Sequence, residues 1–288
     1  MFILITGLLL GGTYALIALG LNLQYGVARI MNLANGEMLV AGGFAAFWVY
    51  TAGQVNPVMA LVVVAPVAFV VNWVIYQVML VPLVKRAKSR GQLEVDSILA
   101  TFGMSFAFVG LMTLAFGGGY FNYAFLAQPV HIFGSSYGQN RVVAFVLAVV
   151  IGGALWLWLS FTRAGLRLRA VSVSPASAPL VGVDVRAVSA LAFGLGGAVT
   201  ATGGALVSMF FTLDASVGVI FTMKALIIII MGGVGDIRGT IVAAAILGIT
   251  ETAVARLIDP GLTLAAAYLL FLLVLLFRPQ GLFGRAQS

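Results

Sequence analysis

Apolar residues in this chain come in long unbroken runs, not in the two-residue or 3.6-residue rhythm of half-buried elements. Residues 38–84, 97–140, 142–162 and 187–213 contain no Asp, Glu, Lys or Arg. About 20 apolar residues in a helix cross the hydrocarbon core of a bilayer. Bounded by charges, prolines and glycine clusters, the runs predict nine crossings at about 2–22, 36–52, 57–80, 97–117, 142–161, 187–211, 217–232, 239–256 and 261–277. None shows the ten-residue alternation of an outer-membrane barrel. The expected fold is all-α: one polytopic integral membrane helical bundle over 1–288, with about 8–10 transmembrane helices, some broken or re-entrant.

Two segments do not look like plain crossings. Asn32-Leu33-Ala34-Asn35-Gly36-Glu37 places three polar side chains in an apolar stretch, and Met231 to Gly239 carries four glycines with Asp236 and Arg238. Backbone that leaves the helix at membrane depth is tolerated where it is buried in protein or lines a wet cavity, so a break in each half points to a transport path. Cytoplasmic turns with ordinary caps are the competing reading. Small residues recur at four-residue spacing, as in Gly7 with Gly11, Leu39 with Gly43, and Gly196 with Thr200 and Gly204; such faces allow close helix approach.

Composition sharpens the picture. Of the 288 residues 62% are hydrophobic and 8% charged, against roughly a quarter charged in ordinary globular chains; mean hydropathy is +1.15. A water-soluble fold is excluded. The net charge of +7 would suggest nucleic acid in a soluble protein, but the basic residues sit at span ends: Arg29; Lys85, Arg86, Lys88 and Arg90; Arg163, Arg167, Arg169 and Arg186; Arg278 and Arg285; with Arg238 beside them. That is positive-inside bias. It places 81–96 and 162–186 in the cytoplasm, the amino terminus outside and the carboxyl terminus inside, and it leaves nucleic acid off the list of expected partners. No Lys or Arg precedes the first span, which is therefore read as a retained helix.

Candidate chemistry is sparse. The chain has no cysteine and one histidine, His131, in the polar outer loop 117–140, so neither a His/Cys metal cluster nor a Ser/His pair within the membrane can be assembled. None of the three lysines follows a glycine as a phosphate-binding loop requires, so ATP hydrolysis is not expected in this chain, nor is a cofactor. Ionisable groups inside a span cost several kcal/mol and count as functional candidates: Glu37, Lys224, Asp236 and Glu251. Lys224 is expected to pair with Glu251 or Asp236 and to steady the glycine-rich turn. Between the basic flanks, Ser174 followed by Pro175 predicts a short helix that starts there and stops near Gly182; it either docks into something or is a surface loop with snorkelling arginines.

Four motifs in order resemble the integral membrane permeases of branched-chain amino acid ABC importers, the LivH-type subunit family. They are Gly12 to Leu21 with Tyr25-Gly26-Val27 and Asn32 to Glu37; Thr162 to Ala170 with Ala178, Leu180 and Gly182; Met223-Lys224-Ala225 with Gly232-Gly233-Val234-Gly235; and Arg278-Pro279-Gln280-Gly281-Leu282-Phe283-Gly284. Asn35 stands where the family usually has His, and Arg238 where it commonly has Pro.

The resemblance implies a permease subunit of an ATP-driven importer for branched-chain or other hydrophobic amino acids, in a bacterial inner (plasma) membrane. Its implied partners are a second, LivM-type permease, two cytoplasmic ABC ATPases and a periplasmic or extracellular substrate-binding protein. Asn32, Asn35, Glu37, Lys224, Gly232, Gly233, Gly235 and Asp236 would line the path. The segment 162–186, with Arg163, Arg167, Arg169, Ala178, Gly182 and Asp184, would couple it to an ATPase. Relatives that carry urea, short amides or aromatic acids, a passive small-solute channel, and an ion-coupled carrier are the alternatives.

Overall fold

The computed structural model describes residues 1–132 and 134–283; Gly284, which ends the carboxyl-terminal motif, and the basic Arg285 lie outside them. Ten helices follow in order: α1 (Phe2–Ala28), α2 (Asn35–Gly53), α3 (Pro57–Arg86), α4 (Arg90–Phe116), α5 (Gln139–Phe161), α6 (Arg163–Val173), α7 (Val185–Val207), α8 (Gly218–Gly232), α9 (Ile237–Leu257) and α10 (Thr263–Phe277). Six of these, α1, α3, α4, α5, α7 and α9, are at least 18 residues long and apolar enough to cross a membrane among the described residues, and Pro260–Phe277, which is α10 with the short turn before it, is a seventh. With α2, lowered in hydropathy by its polar start, and the shorter α8, they make the nine expected crossings. A short antiparallel hairpin, β1 (Pro129–Ile132) with β2 (Ser135–Gly138), pairs His131 with Ser136 in the loop before α5.

Helix α1 is the axis of the bundle. One side packs along α9, the other along α7, and α2 and α3 close over the far side of α7. The small faces make these contacts possible. A Cβ on Gly11 would meet the Ala244 carbonyl oxygen at 2.8 Å, and one on Gly248 would meet the Gly11 nitrogen at 2.6 Å. Gly196 and Thr200 face Gly20, and Gly204 faces the Leu39 backbone. Backbones that approach this closely gain dispersion contact along their whole length, which drives association where lipid removes the hydrophobic term between helices. By contrast α4 touches mainly α2 and the end of α3, and leaves Leu99, Phe102, Phe106 and Leu114 exposed.

Local chemistry explains the irregularities. Pro82 has no N–H to return to the preceding turn, and α3 widens there into a π turn at Tyr76–Leu80 that turns Tyr76 and Leu80 into the core. Helix α1 stops at Arg29, whose φ of 56° is left-handed and whose N–H bonds the Tyr25 carbonyl. Helix α8 has 15 residues, or about 22 Å at 1.5 Å each, short of a ~30 Å core. Its missing length is supplied by residues 208–217, a non-helical connection that dips into the bundle with Met209, Leu213, Ala215 and Val217 buried. The loop after α4 holds it in place: Phe121 pairs with Leu213, and the Tyr123 hydroxyl lies 2.9 Å from that of Ser208.

One expectation is corrected. No helix starts at Ser174. The helix lies before it, since Thr162 accepts from the Gly165 N–H and caps α6, and Ser174 is where α6 ends. The Ser174 hydroxyl does accept from the Ser177 N–H, but it organises a turn. That turn leads to a single 3-10 turn at Ala178–Val181, closed by Gly182 at φ 74°.

Candidate functional site

The first break is the most polar point of the interior. Asn32, Asn35 and Glu37 are fully buried, and the elements around them supply partners one by one. Asn32 donates to the Gln24 side-chain oxygen at 2.9 Å and accepts from the Ala34 N–H at 3.1 Å. Asn35 accepts from the Thr200 hydroxyl of α7 at 3.0 Å, while its amide nitrogen has no partner. The Gly36 N–H donates to the Thr222 hydroxyl of α8 at 2.8 Å, and the Leu33 N–H to Thr101 of α4 at 3.1 Å. Side chains of α4 and α8 thus meet the freed backbone groups, while Gln24 of α1 and Thr200 of α7 meet the amides of Asn32 and Asn35, which is how unwound backbone is accommodated at membrane depth.

Glu37 differs from its neighbours. Both carboxylate oxygens are buried with no hydrogen-bond partner, and they lie over Gly218, the first residue of α8. Since Glu37 is itself in the first turn of α2, two helix amino termini face one carboxylate, each a region of positive partial charge.

The second break has a different setting. Asn22 clamps it: its Oδ1 accepts from the Gly235 N–H at 2.7 Å and its Nδ2 donates to Thr240 at 2.8 Å. Asp236 caps α9 by accepting from the Gly239 N–H at 2.8 Å. Gly232 and Gly233 are buried beneath the carboxyl-terminal tail, where the Leu282 N–H reaches the Met231 carbonyl and the Phe283 N–H that of Gly232. This break therefore lies at the end of the bundle that also holds α6, whereas the first lies among the helices.

Lys224 pairs with Glu251 at 2.8 Å, not with Asp236, and does not reach the glycine-rich turn; it sits two turns back along α8 on the side facing α1 and α9. Its ammonium also bonds the Tyr14 hydroxyl at 2.7 Å, and Tyr14 donates to the same Glu251 oxygen at 2.8 Å. The group borders a cavity of about 300 Å³ with Thr6, Phe210, Phe211 and Arg141. Among the described residues no three of His, Asp and Glu converge as a metal site would require.

Residues 162–186 form a separate surface. Ala178 is buried against Leu168 and Val171, and Asp184 caps α7 through the Arg186 and Ala187 N–H groups. Arg163, Arg167 and Gly182 are exposed, and the Arg169 guanidinium turns back to the Ser160 carbonyl at 3.1 Å. The exposed side chains of the turn are Pro179, Leu180 and Val181, the last two at 86% and 74%.

Sequence reasoning counted charges and so missed the uncharged partners Asn22, Gln24, Thr101, Thr200 and Thr222. Their signal was the presence of amides and hydroxyls well inside apolar runs.

A polytopic helical bundle with a buried polar break and a compact exposed turn on one end belongs to the class of membrane transport subunits. The comparisons name the family. The model for the permease component of branched-chain amino acid transport systems matches residues 3–278, and the chain belongs to that family. It is 27% identical to the high-affinity branched-chain amino acid transport system permease protein LivH of Escherichia coli K12, over 98% of this chain and 94% of that one. It is 28% identical to the corresponding protein BraD of Pseudomonas aeruginosa, over 99% and 95%. A probable LivH protein of Methanocaldococcus jannaschii is 27% identical over 82% of this chain and 75% of that one. No solved structure matches.

Proposed function

We propose that this chain is one permease subunit of an ATP-driven importer for branched-chain or other hydrophobic amino acids, in the inner (plasma) membrane of a bacterial cell. It works with a LivM-type second permease, two cytoplasmic ABC ATPases and an extracytoplasmic binding protein, and hydrolyses nothing itself. The observation that carries the reading is the turn Ala178–Gly182. At the basic end of the bundle the turn presents Leu180 and Val181 on a base fixed by buried Ala178 and by Asp184. An apolar knob of this kind on a rigid turn fits a cleft in a soluble partner.

Movement of the turn passes to α6 and α7, and from α7 through Thr200 to Asn35 and the first break. There Asn32, Asn35 and Glu37 border the route, with Lys224 and the Gly232, Gly233, Gly235 and Asp236 turn belonging to the half that moves against it. A hydrophobic zwitterion suits such a route, because helix ends meet its charges and apolar walls its side chain. The test is co-purification of the ATPases with the chain. Leu180→Asp with Val181→Asp is expected to abolish it while the chain stays in the membrane; undiminished capture by the double variant refutes the docking role.

A further inference from the structure

Two cavities of about 440 Å³ each adjoin along the cleft between α1, α5 and α9 and share Leu19, Trp156, Ile237 and Arg238. One is polar, with Asn22, Ser160, Arg169 and Ser172 in its wall. The other is floored by Gly11, Gly12, Ala15, Gly152 and Gly153, and Arg238 at the junction is its one charged lining residue. We propose that the joined groove seats an anionic phospholipid, its phosphate between Arg169 and Arg238 and an acyl chain along the glycine floor.

Charge and shape agree on this occupant. The charged groups facing the polar cavity are Arg169, Arg238 and Asp236. Asp236 is engaged by the Gly239 N–H as the cap of α9, and Arg29 stands one step behind, donating to the Ser172 carbonyl at 2.8 Å. The balance is positive. Arg169 spends one guanidinium nitrogen on Ser160, and a guanidinium carries five donors, so it can still grip a phosphate. Trp156 stands at the junction, 39% exposed, where an amphipathic ring prefers the headgroup level. The floor is open: nothing lies within 4 Å of a Cβ built on Gly153. An apolar partner helix laid in the same cleft would bring hydrocarbon against two arginines, whereas an amphiphile with an anionic head matches both ends. Basic pockets between membrane helices at the positive-inside end are suited to such headgroups.

The test is retention of lipid by the full chain taken from nanodiscs of equal phosphatidylglycerol and phosphatidylcholine, read by native mass spectrometry. The parent chain is expected to keep phosphatidylglycerol in preference. Arg169→Gln and Arg238→Gln should each lower that preference about fivefold, from roughly 1 kcal/mol per basic residue near an anionic surface. Gly153→Leu, whose Cβ meets nothing within 4 Å, fills the groove and should displace either lipid, while Gly110→Leu, on α4 and equally open at its Cβ, should leave retention unchanged. Equal retention of the two lipids, or parent-level phosphatidylglycerol on the Gly153→Leu variant, overturns the proposal. So does displacement of the lipid by millimolar inorganic phosphate, which would make the site one for a free anion.

Discussion

The carboxylate of Glu37 rests against the backbone of Gly218: a Cβ there would lie 2.6 Å from Oε2 and 2.8 Å from Oε1. The first turns of α2 and α8 therefore meet at one acidic group, and only a residue without a side chain allows the approach. No hydrogen bond holds the carboxylate in this arrangement. An unpaired charge kept in such a place opposes folding, so its role is to be found in what passes by it.

Glu37→Gln is accordingly expected to leave thermal stability unchanged or raised, because no partner is lost, and to lower ATP-driven uptake by roughly tenfold, the worth of one charge-assisted hydrogen bond. Gly218→Ala is expected to lower stability, since a methyl group would enter the carboxylate. Thermal unfolding in detergent alongside uptake in proteoliposomes reads both. A fall in stability for Glu37→Gln comparable to that of Gly218→Ala would give Glu37 a structural role and remove it from the path.

Lys224 and Glu251 behave in the opposite way. Their side chains are 12% and 4% exposed, and with Tyr14 they form a hydrogen-bonded trio through one Glu251 oxygen, the other being buried without a partner. Lys224→Met or Glu251→Met leaves a buried partner unpaired and is expected to cost about 3–5 kcal/mol, while the double replacement Lys224→Met with Glu251→Met regains most of it. Chemical denaturation of the four proteins measures the coupling. Additive losses in the double variant would mean that the two groups act separately.

Much of this architecture was legible in the sequence. Long apolar runs located the nine helices expected to cross, seven of them long and apolar enough for it among the described residues, because a bilayer enforces length and apolarity on a span, and glycine spacing located the faces of α1 and α7 because close approach needs small residues. Both breaks were visible as polar or glycine-rich interruptions. Their surroundings were not: Thr200 and Thr222 meet the first break from 165 and 186 residues away along the chain, and no local pattern encodes that. The dip at 208–217 was hidden because a buried connection is as apolar as the helices beside it. The helix expected at Ser174 failed for a related reason. A serine before a proline organises a turn as readily as a helix start, and Thr162 had already claimed the capping role one helix earlier.

The orientation set by the basic residues gives a direct prediction. His131 lies exposed in the hairpin on one end, and Val173, 80% exposed, at the end of α6 on the other. The chain has no native cysteine, so His131→Cys is expected to react with an impermeant thiol reagent from the outside of intact cells and Val173→Cys only after the inner face is opened. The reverse pattern would invert the bundle.

The central claim is that ATP hydrolysed by partner subunits drives a hydrophobic amino acid through this chain. It is tested most directly by leucine uptake into proteoliposomes that contain the chain, its second permease and two ATPases, with binding protein outside and ATP sealed inside. Accumulation above the outside concentration is expected, stopping without internal ATP and indifferent to a proton or sodium gradient. Equilibration without ATP, or uptake that follows an ion gradient, would contradict it.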